Sequence, residues 1–106
     1  MSKKHILVID DEPNIRKMLK TLLEINEYEV DTAENGLIGL EKIKKNKPDL
    51  VLLDLVMPEM TGYQVLAQMH QTTEIKDIPI ILFTAAPPDV AVQAGSEAIE
   101  AVDYVL

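Results

Sequence analysis

The sequence predicts an α/β domain, a doubly wound five-stranded parallel sheet with helices on both faces. Three observations carry this. Short apolar runs, Ile6-Leu7-Val8-Ile9, Leu50-Val51-Leu52-Leu53 and Ile80-Ile81-Leu82-Phe83, have the length and composition of strands buried on both faces. Segments of helical periodicity separate them, so β and α alternate, which calls for a parallel sheet with crossover helices. The chain has 106 residues, enough for one domain with a single modest core.

Residues 5–9 read as the first strand. Pro13 suits the first turn of a helix, where its missing N–H costs nothing, and Ile15, Met18, Leu19, Leu22 and Leu23 then recur as one apolar face. Glu29-Val30-Asp31-Thr32-Ala33 is a short, half-polar run with the character of an edge strand, and Asn35-Gly36 marks the turn after it. A second helix follows, with Leu37, Leu40 and Ile43 inward and Lys42, Lys44, Lys45 and Lys47 on a solvated face. Gly39 within it costs about 1 kcal/mol relative to Ala but allows close packing on the sheet. Asn46-Lys47-Pro48 ends this helix, and residues 50–53 form the third strand. Residues 57–62 are a loop. Tyr63 to His70 is a third helix, with Val65, Leu66 and Met69 inward. Pro79 to Phe83 is the fourth strand, with Pro tolerated at its first position. Ala86-Pro87-Pro88 is a loop, residues 89–100 a weaker helix containing Gly95, and residues 101–106 the fifth strand. No internal repeat, linker or low-complexity segment interrupts the pattern.

Composition excludes several classes. The hydrophobic fraction is 47% and the charged fraction 26%, with three Tyr, one Phe and no Trp, so the core is aliphatic. A net charge of -8 argues against direct nucleic-acid binding, which needs clustered Lys and Arg. The absence of cysteine removes disulfides, thiolate metal sites and Cys nucleophiles. No apolar run reaches the roughly 20 residues of a membrane span, and Met1-Ser2-Lys3-Lys4-His5 does not open a signal peptide, so a cytoplasmic location without membrane contact is expected. Every Lys and Arg lies at or before Lys76.

The chemistry gathers at strand ends. In open α/β sheets ligands bind outside the carboxyl ends of the strands. Here Asp10-Asp11, Asp54 and Thr84 each follow an apolar strand. Carboxylates meeting at one sheet edge repel one another and raise at least one pKa unless a cation neutralises them. They suit a hard divalent ion, and a hydroxyl can donate to a phosphoryl oxygen. The blander reading is that strand-end Asp residues are helix N-caps. Likewise, Thr84 alone reads as a strand-end hydrogen bonder and Tyr104 alone as a packed edge aromatic. His5 and His70 read as surface or boundary residues, and Met18, Met57, Met60 and Met69 as packing residues.

Val8-Ile9-Asp10-Asp11-Glu12-Pro13, Asp54-Leu55-Val56-Met57-Pro58-Glu59-Met60-Thr61-Gly62 and Phe83-Thr84-Ala85 resemble the receiver domain of bacterial two-component response regulators, from about residue 4 to the last residue. The resemblance implies one receiver domain over 1–106 and a flavodoxin-like sheet of order 2-1-3-4-5. It implies that Asp54 is the phosphoacceptor, taking a phosphoryl group from a sensor histidine kinase or a histidine phosphotransfer protein. Asp10, Asp11, Asp54 and the Val56 carbonyl would serve Mg²⁺, with Asp10 acting largely through water. Thr84 would bond the phosphoryl group, and Tyr104 would be the aromatic switch. The domain would then be a switch and not an independent enzyme.

The family pattern also has a Lys three residues after the switch aromatic, followed by Pro and a last helix, and here that Lys would be residue 107. The expectation is a receiver truncated before these features. Such a chain would phosphorylate poorly or hold the phosphoryl group in the wrong geometry and, with an uncovered apolar edge, would self-associate, exchange strands or be marginally stable. Two rivals differ in class. A haloacid dehalogenase-type phosphatase also uses a strand-end Asp with Mg²⁺, but wants a second Asp two residues on, where this chain has Val56 after Asp54 and Glu12 after Asp10. A pseudo-receiver, an interaction module that never takes phosphate, would have a broken acidic triad.

Overall fold

The computed structural model describes residues 3–55, 57, 60–83 and the backbone of 103–105. Along the chain run β1 (His5–Ile9), α1 (Pro13–Ile25), β2 (Glu29–Ala33), α2 (Gly36–Asn46), β3 (Leu50–Asp54), α3 (Gly62–His70), β4 (Ile80–Phe83) and β5 (Asp103–Val105). They build one sheet of order β2-β1-β3-β4-β5, with every neighbouring pair parallel. This is the expected flavodoxin-like order, with β2 at one edge. The helix expected at residues 89–100 lies outside the described residues.

Local chemistry sets the element ends. Glu12 caps α1, its Oε1 accepting the Asn14 N–H at 3.3 Å, and Pro13 fills the first helical position. Asn35 caps α2 by accepting the Ile38 N–H at 2.8 Å. Lys47, in the left-handed region at φ 46°, closes α2. Thr61 and Gln64 form a reciprocal capping box at the start of α3, with bonds of 3.3 and 2.8 Å.

Alternation along the strands separates two faces. Leu7, Ile9, Val51, Leu53, Ile80 and Leu82 join Leu40 and Ile43 of α2 and Val65, Leu66 and Met69 of α3 in the main core. Gly39 is buried there because a Cβ at its position would run into Ile9, which explains a glycine inside a helix. The opposite face meets α1. A groove of about 470 Å³ there is lined by Leu23 of α1 with Ile6, Leu50, Leu52 and Ile81.

Four side-chain assignments read from periodicity need correction: Met18, Leu22, Leu37 and Lys42. No residue of α1 is fully buried. Ile15, Leu19 and Leu23 are half-buried, while Met18 and Leu22 are 55% and 53% exposed. Because α1 packs on β1 and β2, toward one edge of the sheet, only a narrow stripe of it finds cover, and Met18 is not a packing residue. In α2 the inward line runs through Gly36, Gly39, Leu40 and Ile43, and Leu37 is exposed. The two glycines let the helix approach on their own side, which turns Leu37 outward. Lys42 also departs from the solvated face: it is half-buried and bonds Asp31 Oδ1 at 3.0 Å and the Thr32 carbonyl at 2.6 Å.

Candidate functional site

The sheet register brings the acidic residues together. Ile9 of β1 pairs with Leu53 of β3, so Asp10 and Asp54 come next on adjacent strands. On the other side of Asp54 stands Phe83 of β4. Asp10 and Asp54 are only 3% and 7% exposed, while Asp11 is exposed. Each of the three offers one carboxylate oxygen, and these atoms lie within 4.8 Å of one another.

Neither Asp10 nor Asp11 caps a helix, because Glu12 is the N-cap of α1. The bland explanation for the acidic pair therefore fails. Asp10 Oδ1 instead accepts the Glu12 N–H at 2.8 Å, two residues on, and the Asp10 N–H reaches the Ala33 carbonyl of β2 at 3.1 Å. The Asp10 carboxyl is pushed above its ordinary value, chiefly by burial and further by the charges of Asp11 and Glu12. The Glu12 N–H and Arg16 oppose this. Desolvation wins, so an uncompensated Asp10 carboxylate is costly in this place.

Gly62 fixes the other wall. Its N–H donates to the Leu55 carbonyl at 3.0 Å, and a Cβ at this position would overlap the Asp54 carbonyl oxygen. The turn into α3 can press against Asp54 only with glycine there. Leu55 and Met57 are buried and anchor the segment that follows Asp54.

Asp10, Asp11 and Asp54 are thus brought together as the sequence implied. Thr84 and Val56 lie outside the described residues. Tyr104 lies in β5, paired in register with Leu82, and its side chain is likewise outside the description. One contributor escapes sequence reading. Arg16 is half-buried, and its Nη1 donates to the Asp10 carbonyl at 2.7 Å. Its only signal is its spacing, one helical turn beyond the Glu12 cap, which aims it back over the Asp10-Asp11 turn.

Comparison with known proteins decides the family. The model described as "Response regulator receiver domain" matches residues 6–106. The chain belongs to the response regulator receiver domain family. The "Probable transcriptional regulator ycf27" of Porphyridium aerugineum is 41% identical over 106 residues, all of this chain and 42% of that protein. This receiver thus spans about two fifths of the length of that curated relative. Among solved structures, chemotaxis protein CheY4 of Vibrio cholerae superposes with a TM-score of 0.85 at 28% identity, covering 99% of this chain and 87% of that one. Response regulator protein TrrA of Thermotoga maritima, solved in complex with Mg(2+)-BeF, gives a TM-score of 0.81 at 43% identity, with 97% and 85% covered. Receivers bind Mg²⁺ at an acidic pocket and work with histidine kinases in phosphorelays. This membership does not favour a haloacid dehalogenase-type phosphatase or a pseudo-receiver. No helix among the described residues is long and apolar enough to cross a membrane.

Proposed function

We propose that this receiver, residues 1–106, is a Mg²⁺-dependent phosphoacceptor switch in which Asp54 takes the phosphoryl group. The observation that carries the reading is the meeting of three carboxylates, two of them buried, at the carboxyl end of adjacent strands. The donor set fits the ion, since Mg²⁺ takes hard oxygen ligands, uses one or two carboxylates and keeps several waters. Asp10, Asp11 and Asp54 would hold it, together with the Val56 carbonyl. Bound there, it supplies charge neutralisation and orients a phosphoryl oxygen.

The step itself belongs to Asp54. A carboxylate oxygen attacks phosphorus and forms an O–P bond, while the P–N bond of a phosphohistidine breaks. The electron pair stays on the imidazole nitrogen, and the product is an aspartyl phosphate. Three carboxylates against one divalent ion leave a net charge of -1, and the phosphoryl group adds roughly one more near neutral pH. That added charge gives the switch its driving force, with Thr84 binding the phosphoryl group and Tyr104 responding to it. The receiver is a partner in phosphotransfer and not an independent enzyme. Its donor is a sensor histidine kinase or a histidine phosphotransfer protein, met in the cytoplasm.

The test is incubation with acetyl phosphate and Mg²⁺, read by intact mass. The chain should gain one phosphoryl group, slowly because the Lys expected at residue 107 is not in this sequence, and Asp54→Asn or excess EDTA should abolish the gain. Equal labelling of Asp54→Asn would overturn the assignment.

A further inference from the structure

Beyond the three acidic residues, the site has a clamp. We propose that Arg16 is a positioning residue for the acidic cluster: by holding the Asp10 carbonyl, its guanidinium sets the β1–α1 turn that presents Asp10 and Asp11 to a divalent cation. This rests on the Mg²⁺ reading of the site given above.

The β1 registers with both β2 and β3 end at Ile9, so the Asp10 carbonyl lies one residue past the paired stretch, in a residue only 3% exposed. A buried carbonyl without a donor is costly. Arg16 Nη1 supplies that donor at 2.7 Å, a charge-assisted bond. The Arg16 N–H is held in turn by the Glu12 carbonyl at 3.1 Å, so the side chain starts from a fixed point on the first turn of α1.

The consequence falls on Asp11. The peptide before it is held through the Asp10 carbonyl by Arg16. The peptide after it is held through the Glu12 N–H by Asp10 Oδ1 at 2.8 Å. Asp11 is the exposed member of the cluster, and these two bonds fix its backbone on both sides. Arginine suits the task because its charge persists at any working pH and its planar fork is pre-organised.

Arg16 also brings a positive charge near the site, and the two roles predict opposite results. Loss of the charge alone would tighten divalent binding. Loss of the clamp would weaken it, as removal of residues that orient metal ligands generally does, by about tenfold or more. The geometry points to the second.

The decisive experiment is direct calorimetric titration of the 106-residue chain with MgCl₂, in wild type, Arg16→Met and Arg16→Lys, alongside melting without the ion. The expected result is Mg²⁺ affinity about tenfold weaker in Arg16→Met and weakened to a smaller degree in Arg16→Lys. The loss in Arg16→Met should persist in 1 M NaCl, where the screening length is about 3 Å. Unchanged or tighter binding by Arg16→Met overturns the proposal. So does wild-type affinity in Arg16→Lys, which retains the charge and decides the matter if Arg16→Met does not fold. A lowered melting temperature with unchanged Mg²⁺ affinity marks a merely structural role and also overturns it. If the wild-type chain shows no Mg²⁺ binding, the metal reading of the site fails first, and this inference falls with it.

Discussion

At the amino end of the strands, His5 Nε2 lies 2.6 Å from Glu29 Oε2, and the His5 N–H donates to Asp49 Oδ2 at 2.8 Å. At the carboxyl end, Asp10, Asp11 and Asp54 bring their oxygens within 4.8 Å of one another. Both ends carry acidic side chains, but the first end is exposed, with side chains 58% and 53% accessible in the His5–Glu29 pair, and each carboxylate there has a donor. The second end buries two of its three carboxylates beside like charge. Exposed pairs of the first kind are worth about 0–1 kcal/mol. Clusters of the second kind oppose folding and are tolerated where a ligand or a reaction needs them. The difference between the ends separates surface tidying from a working site.

The sharpest break of this contrast is at Asp54. Asp54→Asn should remove phosphoryl uptake altogether, as read by intact mass after acetyl phosphate treatment, while the paired end stays as it is.

Next is Gly62→Ala. The added methyl must displace the Asp54 carbonyl, at a cost of about 1–3 kcal/mol, measurable by urea denaturation. Phosphorylation should slow as well, because the displaced backbone is that of the acceptor. A neutral effect on both would remove Gly62 from the site.

Asp10→Asn should do the reverse to stability. The folded Asp10 carboxyl keeps its proton to higher pH than the ordinary value of 3.8, so between the two values the folded state binds more protons. Stability contributed by this residue therefore falls as pH rises through that window, and the cost is fully present only above the raised folded value. Without Mg²⁺, Asp10→Asn should melt a few degrees higher than wild type, roughly 2–5 °C. That gain should shrink as the pH is lowered toward 4, and the ability to be stabilised further by Mg²⁺ should weaken. A variant less stable than wild type at pH 7 would contradict the picture of a repelling cluster.

The smallest effect belongs to the paired end. Glu29→Gln should change stability by less than about 0.5 kcal/mol and leave phosphoryl uptake untouched. A larger loss would show that the two ends are less different than their burial suggests.

Much of this was legible in the sequence, for identifiable reasons. Runs such as Ile6-Leu7-Val8-Ile9 signal strands buried on both faces, and β-α alternation calls for a parallel sheet; the strand order, which makes neighbours of the strands ending at Asp10-Asp11 and Asp54, came from the resemblance to receivers. What escaped depended on helix placement over the sheet. Periodicity marks Met18 and Leu22 as members of an apolar face, yet it is silent on how much sheet lies beneath them. Leu37 carries an apolar signal stronger than that of Gly36 or Gly39, but backbone approach is decided by the residue without a side chain. Arg16 was hidden differently, because its partner is a backbone carbonyl and no residue type announces one.

The bond between the Gly62 N–H and the Leu55 carbonyl has a further consequence. Leu55 is also tied through its own N–H to the Phe83 carbonyl at 2.8 Å, and Gly62 leads directly into a capped helix. Both bonds hold backbone directly beside Asp54, so Leu55 and Gly62 are tied to the site. The turn at Asn26–Tyr28, whose residues are exposed, can absorb extra residues at little cost. Gains of length during evolution, and any engineered insertion, should therefore be tolerated after α1.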